Sequence, residues 1–288
     1  MPVILKDNYR ESIADYRPTT LQERITKLAR TPSTFTDEET EALLCEFIYA
    51  LEQGDIRAAS NQGNDWKANK WVKQGILSIF NQAENISREY NSTTYHDVMP
   101  TRNVTGFTTQ GIRNTPGTTI RVGTYFGEGT TIMSESFVNI GAFIDDGTMI
   151  DSNVTVGSAA QIGKDGHIGA NTTIGGVLDP IEQTPVVIGD NVSVGAGCRI
   201  TQGFVIGDDV EIAEHTLLTP GIEVYDLVTE EVLKEKVPSE RRVFQRQITS
   251  SLANHSFFQD NGQTPQKPIA VAVAKDEDAV ELEDELRM

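Results

Sequence analysis

The chain has 288 residues, and its 24 Lys and Arg against 42 Asp and Glu give a formal net charge of −18, too acidic to wrap a phosphate backbone, so nucleic acid is excluded as the expected partner. Hydrophobic residues at 38% and charged residues at 23% supply a sizeable core, and no run is long or apolar enough for a membrane span. Cys45 and Cys198 fit a reducing compartment and are too few for a disulfide framework or a multi-cysteine metal site, so no metal is expected.

Residues 1–108 are expected to form an N-terminal helical domain. The N-terminus, MPVILKDNYRESIADY, lacks the basic start and long apolar run of a secretion signal, so the expected location is cytoplasmic. Thr36-Asp-Glu-Glu39 reads as a capping box, in which hydroxyl and carboxylate each accept an orphan N–H of a helix start. ALLCEFIYALEQG follows with its apolar residues on one face, and Gly54 is its stop. A second helix is expected from about Asn64 to Phe80. Trp71, Leu77 and Phe80 would face the core, and Lys67, Lys70 and Lys73 the solvent.

The next stretch, 109–221, repeats with a period of six. Ile120, Phe126, Ile132, Val138, Ile144, Ile150, Val156, Ile162, Ile168 and Ile174 fall in one register, which resumes at Ile188 and runs through Val194, Ile200, Ile206, Ile212 and Leu218. Two places before these large residues sit small or β-branched ones such as Thr118, Thr124, Thr130, Ser136, Thr148 and Thr172. A helix repeats every 3.6 residues and a plain strand every two, so this beat means short strands with sharp corners. Three hexads per coil make a triangular prism of parallel strands with both inward positions filling its axis, a mainly β fold, the hexapeptide parallel β-helix. Gly127, Gly157, Gly163, Gly169, Gly175, Gly189, Gly195 and Gly207 would mark the corners by taking positive φ. GGVLDPIEQTPVV interrupts the register, which places an inserted loop at about 176–187. Residues 222–288 would form a small C-terminal β region ending in a solvated acidic tail, KDEDAVELEDELRM.

Three segments, GIRNTPGTTIRVGTYF, SFVNIGAFIDDGTMIDSNVTVGSAAQIGKDGHIG and IGGVLDPIEQTPVVIGDNVSVGA, resemble the bacterial tetrahydrodipicolinate N-succinyltransferases. SFVNIGA, GTMID, GSAAQIGK and the GGVLDP insertion are the specific parts; NKWVKQGILSIF and IAVAVAK extend the likeness weakly to both ends. The resemblance implies a left-handed coil, and a homotrimer with sites shared between neighbouring prisms. It implies a reaction that moves an acyl group from succinyl-CoA to tetrahydrodipicolinate in the lysine and diaminopimelate pathway, with no metal or permanently bound cofactor.

Acyl transfer needs a deprotonated amine, donors for the oxyanion, and cations for carboxylates and coenzyme phosphates. Asp151 stands at a corner otherwise held by Gly, so its carboxylate must project outward; it matches the family's acidic catalytic and substrate residue. Arg113 matches the substrate-binding arginine and suits bidentate contact with a carboxylate. A bland reading leaves Asp151 as a turn cap and Arg113 paired with a surface acid. Ser136 and Asn139, in the SFVN segment, are further substrate-binding candidates. Gly176 and Ala213 lie along the implied coenzyme groove, and Arg241 and Arg242, with Arg246, would offset the protein's negative field for phosphates. His167 reads as a structural or subunit contact, His215 as a minor candidate base, and Cys45 and Cys198 as core.

The sequence also departs from the family. Gly197, Cys198 and Arg199 stand where it has an arginine, a serine and a catalytic glutamate, and Asn153 replaces a tryptophan. A guanidinium cannot act as that base, but Arg199 could receive a carboxylate and favour a succinyl donor. The alternatives are an acetyl-CoA-using paralogue of the tabtoxin-biosynthesis kind and a catalytically inactive trimeric scaffold. A sugar-nucleotide acyltransferase is disfavoured by the SFVN and GGVLDP motifs.

Overall fold

The structure is a computed structural model and describes residues 2–13, 18–63, 65–90 and 92–275. Most of the acidic tail lies outside the described residues. Helices α1 (Pro18–Arg30), α2 (Asp37–Gln53) and α3 (Lys70–Gln82) pack around Phe47, Ile48, Val72, Ile76 and Ile79. The capping box forms, with Glu39 N–H donating to Thr36 Oγ1 at 3.2 Å and Thr36 N–H to Glu39 Oε2 at 2.8 Å, and Gly54 ends α2 at φ 74°.

The second helix differs from expectation. Asp65–Ala68 is a strand, β2, paired antiparallel with β1 (Ala59–Gln62), and the helix starts only at Lys70. Its faces are also rotated: Phe80 is exposed, whereas Lys73 is fully buried. The reason is tertiary, because the inserted loop lies against α3 and takes the Lys73 ammonium, which donates to Gln183 O at 2.5 Å and Pro180 O at 3.4 Å. Burial pushes the Lys73 pKa down to about 8, against the pull of Glu182 and Asp179. A second hairpin, β3 (Ile86–Tyr90) with β4 (Thr93–Asp97), completes the N-terminal part.

From Arg113 onward two-residue parallel strands stack into three faces. Outward residues of the first face form the ladder Arg113, Thr131, Met149, His167, Ser193, Glu211 and Arg242. The second carries Thr119, Phe137, Thr155, Thr173, Arg199 and Leu217, and the third Tyr125, Phe143, Gln161, Val187, Val205 and Lys236. The residues of the six-residue register are buried along the axis, as are Thr118, Thr124, Thr130, Ser136, Thr148 and Thr172. Each large aliphatic so buried contributes about 2 kcal/mol. The threonines cost little because their hydroxyls find carbonyls: Thr130 Oγ1 donates to Gly127 O at 2.8 Å and Thr148 Oγ1 to Gly163 O at 2.7 Å.

The corner glycines serve a different purpose from the one expected. Positive φ falls two residues later, at Gly129, Asn153, Ala159, Asp165, Asn171, Asn191 and Gly197. At Gly157 an added Cβ would lie 2.1 Å from Gly176 N, and at Gly169 2.6 Å from Val194 O. Close approach of the next coil, not backbone conformation, excludes a side chain there.

Val122, Ile140 and Ala159, on the edge between the second and third faces, join the core of the N-terminal helices. Arg241–Thr249 extends the first face through the Glu211–Arg242 pair, and Gln266–Ala274 adds to it antiparallel.

Candidate active site

Asp151 directly follows the strand Met149–Ile150, at the edge between the first and second faces. Its N–H donates to Ile168 O, which locks it to the coil above. Its Oδ1 accepts from Ser152 N–H at 2.7 Å, and its side chain is 32% exposed. The carboxylate therefore projects outward, as its place after an inward isoleucine requires. Along the same edge the corner positions above it are Gly169, Gly195 and Ala213, stacked by backbone hydrogen bonds to successive coils. They form a track with no side chain larger than a methyl.

Ser136 is 1% exposed. Its hydroxyl donates to Asp151 O at 2.7 Å and accepts from Val154 N–H at 3.2 Å. It braces the corner that carries Asp151, in the inward place its register gives it. Arg113 is exposed at the open end of the first-face ladder, two rungs below Met149; its N–H donates to Thr130 O at 2.9 Å, and its guanidinium makes no hydrogen bond or ion pair among the described residues. Arg199, on the second face, folds back over this edge. Its Nη1 donates to Asn171 O at 2.8 Å, Cys198 O at 2.9 Å and Gly197 O at 3.1 Å, so the guanidinium is braced while Nε and Nη2 keep their hydrogens for other acceptors.

Asn139 and Gly176 are elsewhere, on the edge between the second and third faces. Asn139 Oδ1 accepts from Ile140 N–H at 2.9 Å and Arg121 Nη1 at 3.3 Å, while Gly176 packs on Gly157 and Ser158. A single chain thus holds the candidates on two edges, a full face apart.

Two expected phosphate contacts need correction. Arg241 pairs bidentately with the buried Asp226, Nε to Oδ1 at 2.9 Å and Nη2 to Oδ2 at 3.2 Å, and is 12% exposed. Arg242 pairs with Glu211 at 3.0 Å. Both guanidiniums pair with carboxylates of the chain, and Arg242 keeps 30% of its side chain exposed. Burial pushes the Cys198 thiol up, and that of Cys45 to about 12, which suits core residues and not nucleophiles. His215 stands against Gly197, three coils above the level of Asp151. At about 4.8 Å per coil that is too far for the two to share a proton.

One neighbour of Asp151 was missed. His167 lies on the rung directly above Met149, and its Nε2 is 3.7 Å from Asp151 Oδ2. An eighteen-residue coil puts position 167 over 149 and beside 151, a signal present in the hexad count. A cavity of about 610 Å³ under the β1–β2 hairpin, lined in part by Arg57, Trp66, Asp145, Asp190 and Lys236, holds none of the candidates.

The family "Tetrahydrodipicolinate N-succinyltransferase N-terminal" matches residues 20–81, and "Bacterial transferase hexapeptide (six repeats)" matches residues 185–220. The 2,3,4,5-tetrahydropyridine-2,6-dicarboxylate N-succinyltransferase of Histophilus somni strain 2336 is 33% identical over 237 residues, spanning 81% of this chain and 86% of its own. The chain belongs to the tetrahydrodipicolinate N-succinyltransferase family. The enzyme of the same name from Mannheimia succiniciproducens is 37% identical over 79% of this chain and 84% of its own. A candidate 2,3,4,5-tetrahydropyridine-2-carboxylate N-succinyltransferase from Campylobacter jejuni shares the fold, with TM-score 0.55, 15% identity, and coverage of 88% of this chain and 71% of that one. As a member of the family the chain is a transferase, and no described helix is long and apolar enough to cross a membrane.

Proposed function

We propose that the chain is a CoA-dependent N-acyltransferase acting on tetrahydrodipicolinate or a close analogue in lysine and diaminopimelate synthesis, with succinyl-CoA as donor. The observation that carries this reading is Asp151, held outward on a rigid corner beside a track of small residues, in a chain related over about four-fifths of its length to enzymes named for that reaction. The acceptor's amine would react beside Asp151, and the pantetheine arm would lie along Gly169, Gly195 and Ala213. Arg113, with its guanidinium open, suits an acceptor carboxylate.

Arg199 favours succinyl over acetyl. It is braced on three carbonyls with two nitrogens open, at the edge where an acyl chain ending in a carboxylate would arrive. Separation of Asn139 and Gly176 from Asp151 supports assembly with another copy, since the two edges can meet in one cleft only if a second copy supplies one of them; the homotrimer is what the family resemblance implies.

The test is thiol release with enzymatically generated tetrahydrodipicolinate and either succinyl-CoA or acetyl-CoA. Turnover with succinyl-CoA is expected. Preference for acetyl-CoA would assign the chain to a specialised paralogue, and silence with both donors would leave the inactive scaffold. Light scattering on the same sample should give the mass of three chains; a monomer at micromolar concentration would overturn the shared cleft.

A further inference from the structure

Resting on that acyl-transfer reading, we propose that His167 is a second catalytic residue, which carries the amine proton during transfer while Asp151 orients and balances it. Asp151 Oδ1 is fixed by Ser152 N–H, so Oδ2 is left facing the imidazole Nε2 at 3.7 Å. Both groups are accessible, His167 at 48% and Asp151 at 32%. They are built on rigid supports, because His167 lies in a ladder strand and Asp151 N–H is bonded to Ile168 O in that same strand. Hydrogen bonds between catalytic groups are often long without substrate and tighten in the reacting complex.

The chemistry favours an imidazole here. Arg199 gives this edge a cation that cannot take a proton, and Asp151 Oδ1 is already committed to Ser152 N–H. An imidazole can take a proton on one nitrogen while its other N–H is held by a carboxylate, and here the Asp151 Oδ2 stands opposite Nε2. Charged neighbours among the described residues are Arg199, which folds over the same edge with Nη1 on the Asn171, Gly197 and Cys198 carbonyls, and Glu135, on this edge one coil below. On the ladder, His167 is flanked by Met149 and Ser193. Glu211, two rungs above, is held by Arg242 and Lys275, and Lys164, at the preceding corner, by Asp146. Asp165 lies at that same preceding corner, and Arg113 three rungs below.

In the step itself, the acceptor nitrogen attacks the thioester carbon and a C–N bond forms as the carbonyl π pair moves to oxygen. His167 Nδ1 takes the N–H proton, while Nε2–H is held by Asp151 Oδ2, whose charge balances the imidazolium. The oxyanion then re-forms the carbonyl, the C–S bond breaks, and Nδ1–H returns the proton to the leaving thiolate. Amine and thioester become amide and thiol, and the imidazole ends as it began.

The experiment compares the unmodified protein with His167→Gln in the thiol-release assay, using the preferred donor across pH 5.5 to 9, with thermal melts as a check on folding. His167→Gln should lower kcat by roughly 10²-fold or more, move the donor KM by less than about threefold, and erase the acid limb of the kcat profile. If the variant keeps kcat within about threefold and the same acid limb, the role is overturned while the acyl-transfer reading stands. Silence of the unmodified protein with both donors would instead overturn that reading, and this role with it.

Discussion

Replacing Asp151 by Asn should lower kcat for thiol release by about 10²- to 10⁴-fold and leave the melting temperature nearly unchanged. The amide keeps an oxygen for the Ser152 N–H, and the corner is held independently by Ser136 Oγ on the Asp151 carbonyl and by Asp151 N–H on Ile168 O, so the backbone has no reason to move. What is lost is the negative charge, and with it the counter-charge for the His167 imidazolium. Steady-state rates with each donor, beside a melt, separate these effects. Near-normal kcat in Asp151→Asn would remove the carboxylate from the chemistry, and a fall in melting temperature matching the loss of rate would make its role structural.

Glu52→Ala should cost about 3 to 5 kcal/mol, the largest stability loss expected of a single polar substitution here. Glu52 is fully buried where α2 meets the prism. It accepts from Gly123 N–H at 3.0 Å, pairs with Arg10 at 2.5 Å, and lies 4.0 Å from the Nε of Arg102, itself 5% exposed. Burial lowers the Arg102 pKa and Glu52 opposes that shift, so removing the carboxylate strands a cation in the interior and orphans a backbone N–H. Urea midpoints at neutral pH would read the loss, and a change under about 1 kcal/mol would mean that Arg102 finds another partner. Because Gly123 belongs to the first coils of the prism, the variant should also loosen the docking of the N-terminal helices.

The prism could be read from the chain because its determinants are local and repetitive. Each hexad supplies its own inward aliphatic and its own small companion, and the coil needs only to stack on a copy of itself, so the six-residue beat from Ile120 to Leu218 specifies both what is buried and what is outward. The α2 capping box is similarly local, four residues bonding to each other. Asp151 follows from the same logic, since an acid placed after an inward isoleucine has only one direction to point.

Partnership was decided by tertiary structure. Arg241 looked like a phosphate receptor until Asp226, fifteen residues away in sequence, took it bidentately. Lys73 looked solvated until the inserted loop laid its carbonyls over the ammonium, and the register that put Ser136 inward did not say that its hydroxyl would meet the Asp151 carbonyl. The corner glycines were foreseen, but their cause, the backbone of the coil above within van der Waals reach, exists only once coils stack. Periodicity says which way a side chain points, because that depends on the residue's own backbone and its near neighbours. What a charged or polar group then meets depends on segments brought together by burial of apolar surface elsewhere, and for His167 and Asp151 that meeting required a full turn of the coil.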